Sequence, residues 1–418
     1  MRISTRLLVL PFFAGSSGLP VLNAQVASVR TEADSFSVSV RWNRLVPGLV
    51  DEAAARRRAA RVAAAGDSAA LRRLAQTPPP ILFRVYTLLS VAQYAAASST
   101  RENRSVSAEV AVAAASAAVL RDIFSDSAVR SSITRELDLD LERTRSGTRA
   151  AERAMAGWRV GDDVARRVIA WAPPIDMASV WKGTIPTGPG MWRTAAGLPP
   201  MGTFLAKSRP WILDSASQFR PVPPPVYDAP EFRAALEEVR RVARERTPEQ
   251  TKVAQRWAVA DPWAVWNEIA SNALRRHRVT NADAARVLAV LNVAASDAVI
   301  ACFEAKYHYW TIRPSQADTT LALADSVGLP NFPSFPSGHA CSAGAFDAVL
   351  GHYLPEERAE FTRIAEEQAM SRLYGGIHYR FDNEVGLALG RVVGRHAVAR
   401  ERSGGLSAWQ LVGKERTQ

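Results

Sequence analysis

The sequence predicts an all-α protein, and three observations carry that prediction. Residues 36–160 are dominated by Ala, Leu, Val and Arg, with glycine and proline scarce. No alternating apolar–polar run of strand length occurs, and no fixed-period repeat. Helix start signals recur ahead of the apolar stretches, as at Thr247-Pro248-Glu249 and Asn281-Ala282-Asp283. A chain this long suits one large or two medium domains.

Taken in order, residues 1–24 have the pattern of an export signal. Arg2 and Arg6 precede an apolar stretch from Leu7 to Ala14, and Leu22-Asn23-Ala24 offers a small-residue cleavage site. A periplasmic or secreted location is therefore expected. No later segment reaches about eighteen uninterrupted apolar residues, so no membrane span is expected in the mature chain.

Residues 25–171 form an N-terminal helical half. Within it Pro78-Pro79-Pro80 can end one helix and open another, since proline is tolerated in a first turn but not inside a helix. The stretch from Ile81 to Ala97 is apolar on most faces and predicts a buried helix. From 172 to 230 prolines and glycines exclude long helices. Trp171, Trp181, Trp192 and Trp211 argue that this proline-rich excursion is ordered, with aromatic rings pinning it to the helices, as a candidate wall of the active-site cleft. A C-terminal helical bundle follows over 231–405, with helices expected near 230–246, 248–276, 281–309, 338–353, 356–373 and 379–400; residues 406–418 are a tail.

The formal net charge of +11 raises nucleic acid as a partner. The excess arginines are dispersed, as in Arg56-Arg57-Arg58 and Arg166-Arg167, and no zinc-finger or glycine-aromatic pattern accompanies them. Solvated helix faces explain them, and no nucleic-acid partner is expected. Two cysteines cannot build a disulfide framework or a cysteine zinc site. Cys302 and Cys341 lie near the motifs described next, and either one bridge or two buried thiols fits them.

Three separated stretches supply the inventory of an oxyanion site. Lys306 and Arg313-Pro314 offer a point charge and a bidentate donor. Pro336-Ser337-Gly338-His339 places Ser337 at a helix N-cap, with free backbone N–H groups and a glycine that admits close approach. Ser371-Arg372, the Gly375-Gly376 turn, and His378 four residues before Asp382 complete the set. If His378 opens a helix, it shares a face with Asp382, whose carboxylate can fix its tautomer. Alone, each motif has a bland reading: a capped helix, a surface His–Asp pair, an uninformative Lys–Arg spacing. The remaining His277, His308, His352 and His396 have no partner at ligand spacing, and no divalent metal site is expected.

Jointly, Lys306, Arg313, Pro314, Ser337, Gly338, His339, Ser371, Arg372, His378 and Asp382 resemble the signature of the superfamily joining vanadium-dependent haloperoxidases, type-2 phosphatidic acid phosphatases and class A acid phosphatases. The resemblance implies an oxyanion pocket in a helical bundle. Lys306, Arg313 and Arg372 would neutralise the anion, assisted by Ser337 and Gly338. His378 would bond to phosphorus or bind vanadium, His339 would be the acid–base group, and Asp382 would orient His378.

Two reactions follow from one pocket. A phosphomonoesterase would work through a phosphohistidine and need no cofactor. A haloperoxidase would bind vanadate, which mimics the phosphoryl transition state, and oxidise halide with hydrogen peroxide. The long helical N-terminal half, the excursion, the wording His378-Tyr379-Arg380-Phe381-Asp382 and Phe332 ahead of the serine–glycine–histidine element resemble the haloperoxidase branch. Helix-rich relatives often dimerise, so a homodimer is compatible. A non-catalytic helical protein, its pocket blocked by Phe332, Phe335 or Trp310, is the third reading.

Overall fold

Ser37 opens the first described helix of the computed structural model, its hydroxyl accepting from the Val40 amide at 3.4 Å. The structure describes residues 37–67, 81–144, 147–174, 181–195 and 197–404. Among them the fold is all-α, with no strand; Met191 and Thr311 form an isolated bridge. The export-signal pattern and Pro78–Pro80 lie outside the described residues.

Among the described residues, five helices make the N-terminal part: α1 (Val38–Ala63), α2 (Leu82–Ser99), α3 (Ala108–Ile123), α4 (Ser127–Thr144) and α5 (Thr148–Trp171). The apolar stretch from Ile81 is α2, buried on nearly every face from Phe83 to Ala97. Helix α5 lies against α3 because Gly157 and Gly161 carry no Cβ. One built at Gly161 would stand 2.1 Å from the Ala111 carbonyl oxygen.

The proline-rich excursion holds one short helix, α6 (Thr203–Lys207), and is tied to the bundle by hydrogen bonds. The buried Asp297 carboxylate accepts from the backbone N–H groups of Trp211, Ile212 and Leu213 at 2.7, 2.8 and 3.1 Å. Trp192 N donates to Trp310 O at 2.7 Å, and Ile312 N to Gly190 O at 2.9 Å. Trp181 and Trp192 both pack on Trp310. The excursion thus clamps the backbone leading into Arg313.

Eight α-helices follow among the described residues: α7 (Pro230–Glu245), α8 (Pro248–Val259), α9 (Pro262–Arg276), α10 (Asn281–Tyr309), α11 (Pro314–Ala317), α12 (Gly338–Tyr353), α13 (Arg358–Tyr374) and α14 (Arg380–Arg402). The helix expected over 248–276 is two. Pro262 takes the first position of a new helix, where a missing N–H costs least, and Asp261 caps that start by accepting from Trp263 N at 2.8 Å. Thr247 forms a capping box with Gln250, whereas Thr280 rather than Asn281 caps α10.

Helix α10 is the one described helix long and apolar enough to cross a membrane, and 94% of its apolar window is buried inside the fold. It touches α2 on one side and α12 and α14 on the other, so a single hydrophobic core runs from Val38 to Val398. Helices α12 and α14 approach closely because Gly386, Gly390 and Gly394 face the α12 backbone.

Candidate active site

Lys306 stands in the last turn of α10, fully buried. Its ammonium donates to the carbonyls of Pro333 and Ser334 at 2.9 and 2.8 Å, and the Phe332 ring lies 4.9 Å below it. Arg313, the N-cap residue of α11, is also fully buried. It donates to Phe332 O at 3.0 Å and to Ile377 O at 2.7 Å, and its Nη1 lies 3.3 Å from His378 Nε2. Both cations therefore hold the Phe332–Pro336 segment in place. Phe332 forms part of their bed, with the Arg313 guanidinium 5.0 Å from its ring centroid.

The His378–Asp382 pair meets by a different route from the expected one. Gly376, at φ +77°, ends the turn after α13, and α14 begins only at Arg380, so His378 lies outside the helix. Asp382 sits at the third helical position and reaches back, accepting from Tyr379 N at 3.2 Å and His378 Nδ1 at 2.8 Å through the same Oδ2. The carboxylate thus fixes His378 with the proton on Nδ1 and the lone pair on Nε2. Ser334, which the motif reading did not single out, donates to that Oδ2 at 2.6 Å and lies 3.4 Å from His378 Nδ1.

On the facing side, Ser337 occupies the N-cap position of α12 without making the expected side-chain cap bond. Its buried Oγ has no partner, while Gly338 opens onto free space where a Cβ would meet nothing within 4 Å. His339, half-buried, donates from Nε2 to Trp257 O at 3.2 Å, leaving Nδ1 as the acceptor. Arg372 donates to Ser371 Oγ at 3.0 Å and to Ala254 O at 3.2 Å. Helix α8 therefore supplies two carbonyls to the site. Neither Ala254 nor Trp257 carries a sequence signal, because a backbone acceptor depends on position rather than residue type.

Burial sets the electrostatics. It lowers Lys306 to about 8, with Arg313 adding to the effect. Arg313 falls to about 10 and Arg372, burdened also by Arg313, to about 9. Burial raises Asp382 to about 6 against the opposing Ser334 bond and the nearby cations. Both His378 and His339 lie well below the usual imidazole range, through burial and then the cations around them. Two neutral imidazoles thus face three cations.

This environment fits an oxyanion. Three positive charges share a dry space with one buried carboxylate, the orphaned Ser337 hydroxyl points to a missing partner, and Gly338 leaves room beside a helix start. Phosphate and vanadate meet these requirements equally. No group of three or more His, Cys, Asp or Glu suited to a metal cation occurs among the described residues. Cys302 and Cys341 are free and buried, and Cys302 Sγ donates to the Pro336 carbonyl at 3.5 Å. His308 is exposed against Tyr309, and His277 pairs with Glu357. A surface groove of about 650 Å³ between α7 and the start of α14, lined in part by Glu238, Arg380 and Phe381, includes none of the anion-site residues.

Residues 286–402 match the family model described as PAP2 superfamily, a span that covers all three motifs. Two lipid A 1-phosphatases are similar over part of their length. That of Rhizobium johnstonii is 42% identical over 69 residues, 16% of this chain and 28% of that protein. That of Rhizobium etli is 42% identical over 59 residues, 14% and 25% respectively. The chain spans about a quarter of the length of these curated relatives.

Among solved structures, a bacterial vanadium-dependent iodoperoxidase is similar over 76% of this chain and 90% of its own, with TM-score 0.64 and 25% identity. A bacterial vanadium-dependent chloroperoxidase shares the fold at 12% identity, with TM-score 0.60 over 77% of this chain and 94% of its own. The C-terminal part of the chain thus matches the PAP2 superfamily model, and the fold over 76% of the chain is similar to that of a vanadium-dependent iodoperoxidase.

Proposed function

We propose that this protein is a vanadate-dependent haloperoxidase-like enzyme, working in a periplasmic or extracellular setting. The observation that carries the reading is the extent of the likeness to the iodoperoxidase, which spans 76% of this chain rather than the motif region alone. The likeness to the lipid A 1-phosphatases is confined to 69 residues or fewer.

In this reading Lys306, Arg313 and Arg372 hold vanadate by charge, with Ser337 Oγ and the amides at the start of α12 as further donors. His378 Nε2 is the atom that binds it, kept unprotonated because Nδ1 donates to Asp382. Bound vanadate would supply the centre at which hydrogen peroxide is activated toward halide. The net reaction consumes a proton: halide, hydrogen peroxide and H⁺ give hypohalous acid and water. His339 Nδ1 is free to carry that proton, since Nε2 is committed to Trp257 O. Burial excludes bulk water from His378 and Asp382, which are 3% and 0% exposed.

A phosphomonoesterase is the second reading, favoured by the local identity to lipid A 1-phosphatases. There His378 Nε2 would attack phosphorus, the phosphorus–oxygen bond to the alcohol would break, and His339 would protonate the departing oxygen. Purified protein should be assayed with and without orthovanadate for dye bromination or iodination and for p-nitrophenyl phosphate hydrolysis. Vanadate-dependent halogenation is the expected result. Phosphate release inhibited by vanadate would overturn it in favour of the second reading.

A further inference from the structure

Gln368, on α13, lies outside every motif and is fully buried between the two groups that face His378. Each polar end of its side chain is used. Oε1 accepts from Trp266 Nε1 at 2.7 Å, while Nε2 donates to the His339 carbonyl at 2.8 Å and reaches Ser342 Oγ at 3.3 Å. Its own carbonyl accepts from Ser371 Oγ at 2.6 Å, and that hydroxyl accepts in turn from Arg372 Nε at 3.0 Å. One continuous hydrogen-bonded path therefore runs from Trp266 through Gln368 to both His339 and Arg372.

The donors and acceptors along it fix its sense. A carbonyl oxygen only accepts, so the Gln368 amide must turn its NH₂ toward His339, and Trp266, which only donates, locks that orientation from the other end. The Trp266 indole is itself stacked on Phe346, 5.4 Å between centroids and 19° between planes, and is fully buried. A buried network with every member satisfied holds its groups to one geometry.

We propose that Gln368 is a positioning residue that sets His339 and Arg372 relative to each other across the anion pocket. The proposal rests on the reading of His339 as the proton carrier, and it adds a residue that touches neither anion nor proton. A displacement of about 1 Å in such a group costs on the order of a hundredfold in turnover.

Two substitutions test it. Gln368→Leu keeps the volume, removes the three side-chain bonds and leaves the backbone link to Ser371, and should lower kcat about 10- to 100-fold while the protein retains its helical spectrum. Gln368→Glu carries a built-in control. Ionised, its carboxylate has no hydrogen for the His339 carbonyl; protonated, it has one and can still accept from Trp266. Its activity relative to the native protein, compared at each pH, should be low at pH 8 and rise as the medium is acidified. The titratable groups facing this position are His339 on α12 and Arg372 on α13, both shared with the native protein; the neighbouring Glu367 carboxylate is turned to Arg256 and Trp257.

Full native turnover in folded Gln368→Leu, or a Gln368→Glu ratio that does not change with pH, would overturn the proposal. His339→Ala, run alongside, separates the two claims: retained turnover there refutes the role of His339 and leaves the Gln368 geometry to a second readout. That readout is the ring-proton NMR signal of His339, which Gln368→Leu should shift; an unmoved signal counts against the proposal.

Discussion

Two helix pairs among the described residues are packed by the same device, and one of them carries the candidate anion site. Between α3 and α5, Gly157 and Gly161 let the backbones meet at Ser107 and Ala111. Between α12 and α14, Gly386, Gly390 and Gly394 do the same at Ser337, Cys341 and Ala345. A Cβ at Gly161 or at Gly390 would stand 2.1 Å from a carbonyl oxygen in either case. What separates the pairs is the residues at the helix starts. Helix α3 begins behind Ser107, whose hydroxyl accepts from Val110 N. Helix α12 begins behind Ser337, whose hydroxyl has no partner and whose N–H is held by the Asp382 carbonyl at 2.9 Å. Close packing brings ends together; chemistry depends on which ends they are.

The comparison is sharpened first by removing the chemistry while leaving the packing. His378→Ala should reduce turnover at least about 10³-fold and weaken orthovanadate binding, with little change in melting temperature. Steady-state rates and calorimetric titration check this, and preserved vanadate affinity would contradict the role given to His378. His339→Ala should lower turnover about 10²- to 10⁴-fold while leaving that affinity nearly intact.

Disturbing the packing of each pair in turn tries to break the comparison. Gly161→Ala and Gly390→Ala both force a methyl group against backbone, and each should cost about 1–3 kcal/mol of stability. In the protein that remains folded, only Gly390→Ala should also weaken oxyanion binding. Equal loss of binding in both would show that the two pairs are not independent.

The smallest effect concerns pH. Lys306, lowered to about 8 by burial, loses its charge as pH rises through that value. Affinity for a non-titrating oxyanion such as sulfate should therefore hold below pH 8 and fall above it, by at most about tenfold per pH unit. A bound anion favours the charged lysine and shifts the fall upward. Calorimetry from pH 6 to 9 measures it, and affinity that rises over this range would contradict the assignment of charge.

Much of the molecule is legible in its residues. Pro262 shows why one expected helix is two, and Thr247 with Gln250 marks a start that the coordinates show as a capping box. The candidate site is marked by the residue types of its three motifs, since cations, glycine and histidine are side-chain properties. The path from His378 to Asp382 was not, because a spacing of four suggests one helical face, whereas here a carboxylate in the first turn reaches back to a residue before the helix.

By itself the sequence determined that the chain is helical and which residue types can neutralise an oxyanion. These are local matters of propensity, capping and charge. Only the tertiary structure decided that Ser334 shares a carboxylate oxygen with His378, that α8 lends its carbonyls to His339 and Arg372, and that Gln368 joins those two. Such contacts join residues distant in sequence, often through backbone atoms identical in every residue, and so leave no mark on the order of side chains.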